Sequence, residues 1–220
     1  MAEEEDVLIR EIDDELKQEN LQKLWNDYGV YMLGAAVALV IGVAGFKGWQ
    51  AYDMNQRTEL SERFAAAQKL AEGGKTEAAR DAFGAITADG GAGYAMLARF
   101  QMAALMAKNG DTAGAAGAYA AIAGDGGVKP VYQELAVVLG ALSELDSKSR
   151  DGGLLARAQK LAAGTGPWRF SAKEISALEA LYGGDNKKAR EYYGELAKAA
   201  DAPQGLRARA REMELILQGK

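Results

Sequence analysis

Residues Gly29 to Phe46, GVYMLGAAVALVIGVAGF, decide how the chain is organised. They form a run of about eighteen residues without a charge, bracketed by Asp27 and Lys47. A helix rises about 1.5 Å per residue and a hydrocarbon core is roughly 30 Å thick, so a span needs about twenty residues. Continuing the run to Trp49 supplies them. Trp25, Tyr28 and Tyr31 flank one end and Trp49 and Tyr52 the other, where amphipathic rings favour the headgroup level, and Lys47 can extend outward along its own stem. A core helix of a soluble protein is the competing reading, but this run is apolar on every side. A cleavable signal peptide starts with a short basic segment, whereas here the preceding residues are mostly acidic, so an uncleaved anchor is expected.

Working outward from the span gives three regions: an acidic leader over 1–27, a transmembrane helix over 28–50 and a helical domain over 51–220. The formal charge of −5 is unevenly placed, since residues 1–27 hold three basic and ten acidic side chains. The leader is therefore −7 and the remainder, with 23 basic and 21 acidic, is +2. Such a near-neutral domain lacks the clustered basic face that nucleic acid requires. There is no cysteine and no histidine, which removes thiol nucleophiles, disulfides, and the commonest metal ligand and general base.

Within the leader, residues 1–6 read as disordered. From Val7 to Trp25, the residues Leu8, Ile12, Leu16, Leu21, Leu24 and Trp25 draw an apolar stripe at helical period, with Asp13, Asp14 and Lys17 opposite. This short amphipathic helix is either a docking segment or a support that positions the span. Inside the span, Gly34, Ala38 and Gly42 recur every four residues on one face, a spacing that lets a second helix approach closely.

After Tyr52 the sequence is alanine-rich and helical, and no alternating strand pattern occurs. Pro130, Pro167 and Pro203 stand where new helices begin. The turns Gly74-Lys75, Gly110-Asp111 and Gly184-Asp185 are each followed by a small residue and then an aromatic: Ala79 and Phe83, Ala115 and Tyr119, Ala189 and Tyr193. These signatures are 36 and then 74 residues apart, the second being twice 37, which places a weaker unit with its turn at Asp146-Ser147-Lys148.

A helix, a Gly-Asp-like turn, and a second helix carrying Ala and an aromatic four residues on resemble the tetratricopeptide repeat. The whole chain, with the leader EIDDELKQENLQKLWNDYG, a span ending AGFKGWQAY and a final ALEALYGGDNKKAREYYGEL, resembles the bacterial inner-membrane tetratricopeptide-like ancillary subunit of the Sec translocon. Lys75 in place of Asp, and the missing aromatic in the unit after Ser147, depart from the pattern. The resemblance implies an all-α fold, a single transmembrane helix followed by a tetratricopeptide-like helical-hairpin solenoid. It also implies an inner-membrane, single-pass location with the N-terminus cytoplasmic and residues 51–220 periplasmic. The partners it implies are the Sec translocon and a membrane-anchored periplasmic chaperone. Charge does not decide the orientation, because Arg10, Lys17 and Lys23 before the span balance Lys47, Arg57 and Arg63 after it.

The motifs that suggest chemistry do not survive inspection. Gly73-Gly74-Lys75-Thr76 matches the end of a phosphate-binding loop, but the required earlier glycine is Lys69 and a helix precedes it instead of a strand. Asp89-Gly90-Gly91, Asp125-Gly126-Gly127 and Asp151-Gly152-Gly153 read as helix ends, since a calcium loop needs more oxygen ligands in fixed order. No catalytic residue, cofactor or metal is expected, so the chain reads as a non-catalytic scaffold, and the resemblance implies that it assists exported proteins. The alternative is a membrane-tethered regulator that sequesters a signalling protein. In a stacked array the first helix of each pair faces the concave side, which places Phe64, Gln68, Leu97, Phe100, Glu134, Val137, Glu174 and Leu178 along a groove. Packing within or between repeats is the competing reading for each. Trp168, Arg169 and Phe170 form a second patch, unless the tryptophan braces the last repeat. Self-association through the span or the repeats is left open.

Overall fold

Between Ala2 and Glu72 there is no proline, and the glycines fall in the apolar stretch, so nothing ends a helix before Gly73-Gly74. The computed structural model describes the backbone of residues 2–147 and 153–219, and side chains from Trp25 onward within them, apart from Asp27 and Ala36. Its first helix, α1, runs unbroken over Ala2–Glu72. Residues 2–6, expected to be disordered, are thus part of the helix, and the segment expected to be amphipathic is continuous with the apolar stretch. The stripe side chains from Leu8 to Leu24 lie outside the described residues.

Eight further helices follow among the described residues: α2 Thr76–Asp89, α3 Gly91–Lys108, α4 Thr112–Ala123, α5 Pro130–Asp146, α6 Leu154–Ala162, α7 Arg169–Tyr182, α8 Asn186–Lys198 and α9 Gln204–Gln218. No strand occurs among the described residues. The chain divides into two compact units, residues 1–58 and 59–220.

In the first unit, α1 carries a segment with a mean hydropathy of 2.1, long and apolar enough to cross a membrane. Val30, Leu33, Leu39, Ile41 and Phe46 are all exposed on it.

The second unit is a row of helix pairs. The end of α1 pairs with α2, α3 with α4, α5 with α6 and α7 with α8, and α9 closes the row. The first helices carry a small buried residue at Ala67, Ala103, Gly140 and Ala177, at intervals of 36, 37 and 37 residues. The second helices bury Ala79 with Phe83, Ala115 with Tyr119, and Ala189 with Tyr193, the pairs anticipated from the sequence. Small residues allow close helix approach, and each aromatic fills the space beside them.

The turns explain the glycines. Gly74, Gly110 and Gly184 have φ of 73°, 85° and 79°, the left-handed region where a side chain is strained. At each turn the following amide reaches back five residues: Lys75 N–H to Leu70 O, Asp111 N–H to Met106 O and Asp185 N–H to Ala180 O, all 2.9 Å. These are Schellman closures, and they satisfy carbonyls left open at a helix end. The Asp111 carboxylate then accepts from Gly114 N–H at 2.9 Å, and Asp185 from Lys188 N–H at 3.0 Å. Lys75 cannot accept, and α2 has no side-chain cap.

The third pair is built differently. Helix α5 ends at Asp146, as expected, but Lys148 to Gly152 lie outside the described residues and α6 begins only at Leu154. Its N-terminus is capped by the buried Glu144, whose Oε2 accepts from Leu154 N–H at 2.8 Å and Leu155 N–H at 3.2 Å. A Cβ on Gly140 would stand 2.6 Å from Leu154 Cδ1 and 2.8 Å from Tyr119 Cβ, so glycine lets α6 sit close. Pro130 opens α5 and Pro203 immediately precedes α9, whereas Pro167 lies in the turn before α7.

Candidate functional site

A protein-binding surface has to use side chains that the fold leaves free. Gly34, Ala38 and Gly42 are exposed along one face of α1, and a Cβ added at Gly34 or Gly42 would meet nothing within 4 Å. The apolar stretch of α1 thus offers a smooth strip from which a second helix is not sterically excluded.

The eight groove residues divide into two sets. Val137 is 2% exposed and packs into the core, leaving only its edge at a hollow that Glu134 also lines. Phe64 packs edge-on against Phe83 at 5.4 Å between ring centres and beside Tyr94 at 5.8 Å. Phe100 lies 6.0 Å from Tyr119, and Leu178 packs on the same core cluster as Val137. These four are mainly packing residues. Glu174 is held by Arg209 of α9 through two bonds, Nε at 3.1 Å and NH2 at 2.9 Å. Glu134 lies against Gly166, where a Cβ would stand 3.2 Å from its Oε2. Glu134 and Val137 border a shallow hollow of about 230 Å³ with Arg157 and Lys160, and Gln68 and Leu97 border two others. Gln68 borders a shallow hollow of about 310 Å³ with Gln101 and Lys108, and Leu97 is 42% exposed.

Leu97 belongs to a third, more apolar hollow of about 390 Å³. Gly93, Tyr94, Met96 and Leu97 from the first turns of α3 line one side, and Val128, Lys129 and Tyr132 at the start of α5 line the other. Sequence reasoning named Leu97 alone. The missing signal was the register that aligns Tyr94 with residues one and two repeats later. Nearby, Arg99 donates to Asp125 at 2.6 Å, and Gly127 N–H donates to the same carboxylate at 2.9 Å. The arginine contact first, then the amide, holds the Asp125 carboxyl below its ordinary range. Arg63 and Asp89 form the matching link one repeat earlier, each 36 residues before its counterpart.

Trp168 resolves the second patch. Its Nε1 donates to the Val131 carbonyl at 2.7 Å and its ring packs half-buried on the core, so it braces α7 against α5. The Arg169 guanidinium lies 4.0 Å from the centre of the Phe170 ring beside it, and also pairs with Asp201.

The model of the tetratricopeptide repeat-like domain family matches residues 22–213. The chain belongs to this family. No curated protein and no solved structure gives a significant match. Folds of this family are typically non-catalytic scaffolds for protein–protein interaction, and the helix pairs described above are its repeats.

Proposed function

We propose that the chain is a membrane-anchored scaffold of the bacterial inner membrane, with residues 1–27 cytoplasmic and residues 51–220 periplasmic. Its partners in this reading are the Sec translocon, met in the bilayer by the Gly34, Ala38 and Gly42 face, and a membrane-anchored periplasmic chaperone met by the repeats. It passes newly exported chains from the channel to folding factors. One observation carries the reading: the family match starts at residue 22, ahead of the apolar stretch, and continues through the repeats, so span and repeats belong to one family unit.

The chain has no cysteine, which makes topology directly testable. Ala2→Cys and Gln218→Cys are probed in intact cells permeabilised only at the outer membrane, using a membrane-impermeant thiol reagent. Labelling of Gln218→Cys alone is expected, and labelling of Ala2→Cys alone overturns the orientation. A photo-crosslinker at Leu97 then reports the partners. Translocon and chaperone components are expected, while capture of a response regulator or sigma-type factor favours the membrane-tethered regulator instead.

A further inference from the structure

The register that spaces Ala103, Gly140 and Ala177 by 37 residues also aligns Tyr94, Val131 and Trp168, each nine residues earlier. These positions open successive first helices. Trp168 uses its place fully: the ring packs back on the preceding repeat and the indole N–H donates to the Val131 carbonyl. Val131 occupies the same position one repeat earlier with neither a ring nor a donor, and it is 39% exposed. At that interface, between the start of α3 and the start of α5, lies the apolar hollow of about 390 Å³.

We propose that this hollow is a docking site for the aromatic side chain, tryptophan above all, of an extended partner peptide that carries a carboxylate beside it. The molecule supplies the template for the aromatic, because Trp168 shows that the join between successive repeats accepts an indole at this register. The walls suit it: Tyr94, Met96, Leu97, Val128 and Tyr132 are apolar or aromatic. Charge supplies the neighbour. Lys129 lines the hollow and has no ion-pair partner among the described residues, while Asp125 is engaged by Arg99 and leaves no free carboxylate to compete. The site therefore presents a cation at the edge of an apolar cup. This inference rests on the domain being a protein-binding scaffold, and is independent of which membrane partners it meets.

The test uses the full chain in nanodiscs and fluorescence anisotropy of a labelled Gly-Ser-Asp-Trp-Ser-Gly peptide, with Ala-for-Trp and Lys-for-Asp versions as comparisons. Saturable binding is expected, weakened at least about tenfold by loss of the tryptophan. Lys129→Glu should weaken the Asp peptide and favour the Lys peptide. Val131 does not itself line the hollow but stands between its lining residues Lys129 and Tyr132, so Val131→Trp places an indole at the register of Trp168 beside the hollow and should reduce binding at least about tenfold at an undiminished melting temperature. If that variant fails to fold, Leu97→Gln at an exposed wall position serves the same purpose. Equal binding of the Ala-for-Trp peptide, no saturation, or indifference to both Val131→Trp and Leu97→Gln overturns the proposal. So does a change of oligomeric state with Val131→Trp in the absence of peptide binding, which would assign the hollow to a second copy. Loss of peptide binding with membrane crosslinks intact, or the reverse, separates this site from the translocon reading.

Discussion

Replacing Lys75 with aspartate should stabilise the repeat domain, and the structure sets the size of the effect. Lys75 has φ −83° and ψ 64°, almost identical to Asp111 at −82° and 65° and Asp185 at −83° and 71°. The backbone is already in the capping conformation, so no rearrangement offsets the gain. An aspartate there would accept from the Ala78 amide, as Asp111 accepts from Gly114 three residues on. A side-chain cap contributes about 0.5–2 kcal/mol. Removing a positive charge from a helix N-terminus and adding a negative one contributes about 0.3–1 kcal/mol more, less in salt. We expect a net gain of about 1–2 kcal/mol, a rise in melting temperature of roughly 2–6 °C for a domain of this size. Thermal unfolding of the full chain followed by circular dichroism reads the midpoint, and hydrogen exchange at the Ala78 amide reads the cap itself. Lys75→Ala separates the two contributions, since it removes the charge without supplying an acceptor. If Lys75→Ala raises the midpoint as much as Lys75→Asp, or Ala78 exchange is unchanged, the capping argument is wrong.

Gly140→Ala should lower stability by about 1–2 kcal/mol, because overpacking against Tyr119 and Leu154 exceeds the helix-propensity gain. Gly84→Ala, in a helix with open space around it, should raise stability by about 0.5–1 kcal/mol in the same melting assay. Glu144→Ala should cost about 2 kcal/mol or more and speed exchange of the Leu154 and Leu155 amides, whose acceptor it removes. Burial first, then the Glu174 carboxylate, pushes the Tyr193 hydroxyl up to about 12 from its ordinary 10.0. The folded state therefore holds that proton more tightly than the unfolded chain. The associated stability is complete below pH 10 and falls as pH rises toward about 12, a loss that Tyr193→Phe should remove from a pH-dependent denaturation series. Gly34→Leu, Ala38→Leu and Gly42→Leu together should reduce co-purification of membrane partners, and unchanged recovery would leave the span as an anchor only.

The parts of the fold legible in the sequence were those whose physics repeats locally. A left-handed turn requires glycine, an N-cap favours aspartate, and a close helix crossing requires a small residue followed by a ring to fill the gap. Gly110-Asp111 with Ala115 and Tyr119 meets all of these. The third pair was obscure because it satisfies the same demands from a distance. Its cap is Glu144, ten residues before Leu154, and its close approach comes from Gly140 in the other helix of the pair. Neither relation has a fixed local spacing, so a search for Gly-Asp followed by Ala and an aromatic passes over it.

The groove residues show how register sharpens such a reading. Measured from the small buried residue of each first helix, Phe64, Phe100, Val137 and Glu174 all stand three positions before it. One position in four repeats faces one environment, and in three of them that environment is packed against aromatic or aliphatic neighbours. Glu174 is tolerated in the fourth because α9 brings Arg209 to it, with burial of its carboxylate offset by two charge-assisted bonds. A position that stays filled in every repeat belongs to the scaffold. The position nine residues before the small one behaves otherwise, holding Tyr94, Val131 and Trp168 in turn. There side-chain size changes while the backbone register does not, and the apolar hollow lies beside the repeat that carries the short residue. Binding capacity in an array of this kind is best sought at the register positions where one repeat fails to fill what its neighbour fills.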